Sequence, residues 1–189
     1  MNSGIVLGRV PGMTAIRDAL MAAALLLAPV LHAQQVFPPL EGETVEGTVV
    51  SLPIRDGKSY TVVALAYGKK AEPLLEKWYA PAYARFVDKH GLFAGTYDVE
   101  LFLAPLFVGM NKPAYGSTMN KLRKEVDPDV ARRVLFVRED PRGLIEKLGM
   151  TNKDVPYFFV LDPGGRILKK VSGPFSVDRL DELEAPMLQ

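Results

Sequence analysis

The chain has 189 residues, of which 48% are hydrophobic and 24% charged, ordinary values for a globular protein of one domain. It carries 23 basic and 22 acidic residues, two histidines and no cysteine. That composition excludes a disulfide framework, a cysteine metal site, a thiol nucleophile and a histidine-rich metal centre, and a mean hydropathy of +0.08 excludes a multi-span membrane protein.

Residues 1–33 read as a secretory signal peptide. Arg9 and Arg17 precede the apolar stretch from Ala19 to Leu31, and Leu31-His32-Ala33 offers a small residue before a cleavable bond. Asp18 beside the apolar stretch is a departure from the pattern, and Met13 is a second candidate start. The alternative is an uncleaved membrane anchor, but a spanning helix needs about 20 apolar residues; this stretch is shorter and Pro29 interrupts its end. Cleavage after Ala33 implies a periplasmic or secreted protein with no stable membrane span. It removes Arg9, Arg17 and Asp18 and leaves basic and acidic residues equal in number, so nucleic acid is not an expected partner. An exported chain without cysteine draws its stability from its core alone.

Residues 34–43 form an extended leader, and the folded domain is expected over 44–189. The β-branched stretch from Thr44 to Leu52 is one strand and Arg55 to Lys58 a turn. Tyr60 to Tyr67 is a continuous apolar run between Gly57 and Gly68, the pattern of a strand buried on both faces. Helical spacing of Leu74, Leu75, Trp78, Ala82 and Phe86 predicts a helix over 70–89, kinked at Pro81 and stopped by Gly91. A strand follows from Tyr97 to Ala104, then a loop from Pro105 to Ser117 and a helix over 115–125. Asp127-Pro128 and Asp140-Pro141 are helix-start signals flanking a strand over 133–138. Phe158 to Leu161 and Arg166 to Ser172 form a hairpin about Asp162-Pro163-Gly164-Gly165, and Ser176 caps a last helix. The alternation predicts an α/β fold with a mixed central sheet, helices on both faces, and a C-terminal β-hairpin plus helix.

This order, with Val155-Pro156-Tyr157 immediately before the hairpin, resembles the thioredoxin-like superfamily, a three-layer sandwich. Val62 to Gly68 is similar to the central strand that enters the active-site turn, and Glu72-Pro73-Leu74-Leu75 to the helix behind it. The resemblance implies a cis proline at Pro156, opposite a redox motif that would fall at Gly68 to Glu72. That stretch is Gly68-Lys69-Lys70-Ala71-Glu72. Without a thiolate, neither thiol–disulfide exchange nor thiol peroxidase chemistry carries over. A shorter resemblance, through Leu148 to Asn152, Tyr157, Leu161-Asp162, Arg166-Ile167 and Ser172-Gly173, is to the Atp10-type assembly factors.

The candidate binding residues are therefore Gly68, Lys69 and Lys70 at the strand-to-helix turn, Met110 and Tyr115 in the apolar loop, and Val155, Pro156 and Tyr157 at the proline edge. Lys69 and Lys70 offer an anion contact beside free helix N–H groups, and the proline edge offers backbone for an extended peptide. No catalytic residue, cofactor or metal is assigned. The expected function is an exported binding or assembly module with a protein or extended-peptide partner. The alternatives are a non-thiol enzyme acting on a small anion through Lys69 or Lys70, and a structural envelope protein.

Overall fold

The single strand expected over Thr44 to Leu52 is in fact parts of two. In the computed structural model, Leu40–Thr44 (β1) and Val49–Leu52 (β2) pair antiparallel, with Gly42 opposite Val50. Val45 is buried in the turn, Thr44 Oγ1 accepts from the Thr48 N–H at 3.1 Å, and Gly47 closes the turn at φ 101°, a conformation that disfavours any residue with a Cβ. The segment expected as an extended leader is thus partly core: Phe37 is 1% exposed and β1 begins at Leu40.

The structure describes residues 35–54, 59–88, 97–106, 126–137 and 139–188, with residues 1 and 124. Two units, Met1–Ala33 and Gln34–Gln189, divide the chain, and every element named here lies in the second. The turn at Arg55 to Lys58, the stop at Gly91, the loop from Phe107 with Met110 and Tyr115, and nearly all of the helix expected over 115–125 lie outside the described residues.

Tyr60–Ala66 (β3) runs parallel to Val99–Pro105 (β4) and antiparallel to Tyr157–Leu161 (β6), which pairs antiparallel with Ile167–Ser172 (β7). The result is a four-stranded mixed sheet in the order β4-β3-β6-β7. The period of two along β3 sends Val62, Ala64 and Ala66 to one core and Val63 and Leu65 to the other. The first core is closed by the helix Ala71–Phe86 (α1), through Leu75, Trp78, Ala82 and Phe86. Val177–Glu184 (α4) adds Leu180 and Leu183 to the same face. The second face is covered by the helix Arg142–Lys147 (α3) and by a three-stranded sheet. That sheet has the order β2-β1-β5, with β5 at Leu135–Val137. Helices cover both faces as expected, and a small sheet shares the second.

Short polar side chains set the helix ends. Asp127 accepts from the Asp129 N–H at 2.8 Å to open Pro128–Ala131 (α2), and Ser176 Oγ accepts from the Arg179 N–H at 3.3 Å to open α4. Pro81 lies inside α1, which continues past it to Phe86. The Val155–Pro156 bond is trans; among the described residues the cis peptide joins Leu52 to Pro53. Pro156 stands just ahead of β6, where a strand tolerates a missing N–H. It is buried, and its carbonyl accepts from the Gly173 N–H at 3.0 Å.

Candidate functional site: the turn between β3 and α1

At its C-terminal end β3 delivers Tyr67 and Gly68 to the start of α1, where the Gly68 carbonyl accepts from the Ala71 N–H at 2.8 Å. Gly68 is there because another backbone passes close by. A Cβ at this position would stand 2.2 Å from the carbonyl oxygen of Lys153, so any other residue would force the two segments apart.

The loop that Gly68 meets, residues 150–156, is held by side chains from both sides. The Tyr67 hydroxyl donates to the Met150 carbonyl at 2.7 Å, and Lys70 Nζ lies 3.1 Å from Asp154 Oδ2. Within the loop, Asn152 Oδ1 accepts from the Asp154 N–H at 2.9 Å, and the Tyr157 hydroxyl accepts from the Asn152 N–H at 2.7 Å. Lys170 Nζ donates to the carbonyls of Leu148 at 2.7 Å and Gly149 at 2.9 Å, and stands 5.3 Å from the centre of the Tyr157 ring. Those carbonyls belong to the C-terminal turn of α3, where a cation is favoured. The Tyr67 phenol is pushed up, first by partial burial and then by the nearby Tyr157 and Asp154.

Of the candidate residues, the structure brings Gly68 and Lys70 together with Val155, Pro156 and Tyr157 around one loop. Lys69 and Lys70 are exposed, Gly68 and Val155 are half-buried, and Pro156 and Tyr157 are buried. Tyr157 therefore works from inside, as a ring under Lys170 and a hydroxyl on the loop backbone. Asn152, Asp154 and Lys170 join the site although none of them was among the candidate binding residues. Asp154 had a usable signal in its position two residues before the proline, opposite the Lys69-Lys70 pair in the expected fold. Among the described residues, no group of three or more His, Asp or Glu side chains is placed to hold a metal ion.

No protein-family model and no curated protein matches the chain. Solved structures do. The pneumococcal exposed lipoprotein thioredoxin Etrx1 of Streptococcus pneumoniae superposes over 79% of this chain and 98% of its own, at 17% identity and a TM-score of 0.52. A protein assigned as the thiol:disulfide interchange protein DsbE from Chlorobium tepidum covers 82% of this chain and 97% of its own, at 18% identity and a TM-score of 0.52. BsSco, of the Sco family of cytochrome c oxidase assembly proteins, covers 82% and 95%, at 15% identity and a TM-score of 0.51. The fold is thioredoxin-like. At these identities the likeness carries the fold alone, and it lends no support to the Atp10 resemblance. This thioredoxin-like chain has no cysteine anywhere, and its Gly68–Lys70 turn carries two exposed lysines. Among the described residues, no helix is long and apolar enough to cross a membrane.

Proposed function

We propose that this chain is an exported thioredoxin-like binding or assembly module that works without thiol chemistry. The observation that carries this reading is the closure of the Gly68 turn on the 150–156 loop. The corner is built and braced, with Lys70 paired to Asp154 and Gly68 against Lys153, yet no thiol is present to react there. It presents to solvent Lys69, Lys70 and Lys153, with Thr151 and Asn152 also exposed and Asp154 and Val155 half-exposed. Lysines in excess of the Asp154 carboxylate suit an acidic segment of a partner protein, held by steering charge and little buried area. Export rests on the n, h and c pattern of residues 1–33.

The test is site-specific photo-crosslinking in the native host, with a photoreactive residue at position 69 and, as control, at the exposed Asp178 on α4. The expected result is a discrete adduct from position 69 that is missing from position 178. No adduct from 69, or the same adducts from both, overturns the proposal. Fractionating the host cells with and without residues 1–33 tests export separately.

A further inference from the structure

The two outer strands of the main sheet, β4 and β7, differ in what lies beside them. Leu103 of β4 is bridged to Val134, and its N–H donates to the Arg133 carbonyl at 2.8 Å. Among the described residues, β7 is covered only at its start. There the chain's own Gln35–Phe37 lies alongside it as an added antiparallel segment. Val36 is bridged to Arg166, the Ile167 N–H donates to the Gln35 carbonyl at 2.8 Å, and the Phe37 N–H donates to the Gly165 carbonyl at 2.8 Å.

Beyond that short ladder, alternation assigns the backbone of β7. The Gly173 N–H donates inward to the Pro156 carbonyl at 3.0 Å. The register sets Ser172 opposite Tyr157, Val171 opposite Phe158 and Lys170 opposite Phe159. Inward-bonded and outward-facing residues alternate along an antiparallel strand. Gly173 and Val171 therefore bond towards β6, and the N–H and C=O groups of Lys170 and Ser172 face outward. Both residues are exposed, and no described strand pairs with this side of them. Such an open edge is a template for another chain.

The edge is also basic. Lys169 is paired with Glu182 at 3.0 Å. Lys170 has no carboxylate partner among the described residues, since its Nζ rests on the carbonyls of Leu148 and Gly149. Nor has Lys147, at the end of α3, whose carbonyl accepts from Gln35 Nε2 at 2.6 Å. A second copy of β7 laid on this edge would set lysine against lysine, and like charges across a strand pair destabilise it. An acidic strand meets no such opposition. Strand addition of this kind takes its affinity from main-chain bonds and its specificity from alternate side chains.

We propose that the outer edge of β7 takes an acidic extended segment of a partner protein as an added antiparallel strand, bonded to the backbone of Lys170 and Ser172. Residues directly opposite one another in such a pair share a face of the sheet. The carboxylates of the segment therefore belong at the positions opposite Lys170 and Ser172. This inference is independent of the lysine corner, which follows β3, two strands away in the sheet.

The test is an NMR titration of the full chain, followed by amide hydrogen exchange, with a capped peptide of alternating glutamate and valine. The same peptide with lysine for glutamate is the charge control. Two further versions carry backbone N-methyl groups, one on the glutamate amides and one on the valine amides. The expected result is saturable binding of the acidic peptide, with slower exchange at Lys170 and Ser172. Methylating the glutamate amides, which face β7, is expected to abolish binding, and methylating the valine amides to preserve it. Ser172→Pro removes an outward N–H that β6 does not use, and where this variant folds, binding is expected to weaken about tenfold or more. No saturation by about 1 mM peptide, equal binding of the lysine peptide, or an equal effect of the two methylations overturns the proposal. So does an unchanged affinity in folded Ser172→Pro. Slow exchange at Lys170 and Ser172 in the free chain, or slowing that grows with the chain's own concentration, also overturns it, by giving the edge to this chain itself.

Discussion

The indole N–H of Trp78 donates to the carbonyl of Gly173 at 3.0 Å, and the Gly173 N–H in turn donates to the carbonyl of Pro156 at 3.0 Å. The middle of α1 is thereby tied through one residue to the proline that precedes β6. Both ends of the link are buried, with Trp78 at 0% exposure and packed 4.2 Å, centre to centre, from Phe158. Trp78→Phe keeps an aromatic ring and deletes the donor, leaving the Gly173 carbonyl unpaired. The expected loss is about 1–3 kcal/mol from the unpaired group, read as a lower urea midpoint at unchanged slope. Circular dichroism is the probe, since Trp78 is the only tryptophan.

Lys70 and Asp154 close the corner from opposite segments, but both are open to water, at 78% and 42% side-chain exposure. An exposed pair of this kind contributes less than about 1 kcal/mol. Lys70→Glu is therefore expected to leave the thermal midpoint nearly unchanged, with any difference shrinking in high salt. The same variant is expected to weaken the adduct formed from position 69. Loss of folding in Lys70→Glu would mean that the pair carries structure and that its effect on binding is indirect.

The parts of this molecule legible in the sequence are those decided locally. The Val-rich run of β3 between glycines, the caps at Asp127 and Ser176, and the turn at Asp162 each carry their signal within a few residues. The β1–β2 turn does not. Val45-Glu46-Gly47 continues the apolar alternation, and Val45 enters the turn only because Ala131 and Phe136 bury it from far along the chain. Arg133 likewise reads as the polar flank of a strand, and the contacts with Glu100 and Tyr83 that bury it come from two other elements. The isomer of Pro156 has no local code at all, because the energy separating cis from trans before proline is small and tertiary contacts decide it.

Gly68 offers a sharper probe of the corner than the ion pair does. The atom a methyl group would strike is a backbone oxygen, that of Lys153, and it cannot rotate away as a side chain can. Gly68→Ala is expected to destabilise the fold by about 1–3 kcal/mol, the usual range for overpacking. It should also loosen the 150–156 loop selectively. Hydrogen exchange would register this as faster exchange of the Asn152 and Asp154 amides, with the β3 amides less affected. Equal acceleration throughout would indicate global destabilisation alone.

Asp162 gives the fold an acid-sensitive joint. Burial pushes its carboxyl up, but this is outweighed by the backbone N–H of Arg166 at 2.9 Å, the Arg166 Nε at 2.6 Å and the backbone of Gly164, and the net shift is below the ordinary value of 3.8. A carboxyl lowered on folding stabilises the native state above its unfolded value, and the contribution is lost as pH falls through the folded one. Asp162→Ala is thus expected to be less stable than wild type by about 1–3 kcal/mol at neutral pH, the range for removing hydrogen bonds to a buried group. The difference should hold down to about pH 5 and narrow below the ordinary value. Denaturant titrations of both proteins across this range measure it, and subtracting them removes the titration of every other carboxylate. A difference that stays constant into acid would assign the loss to packing at the β6–β7 turn, with the ionised carboxylate contributing nothing of its own.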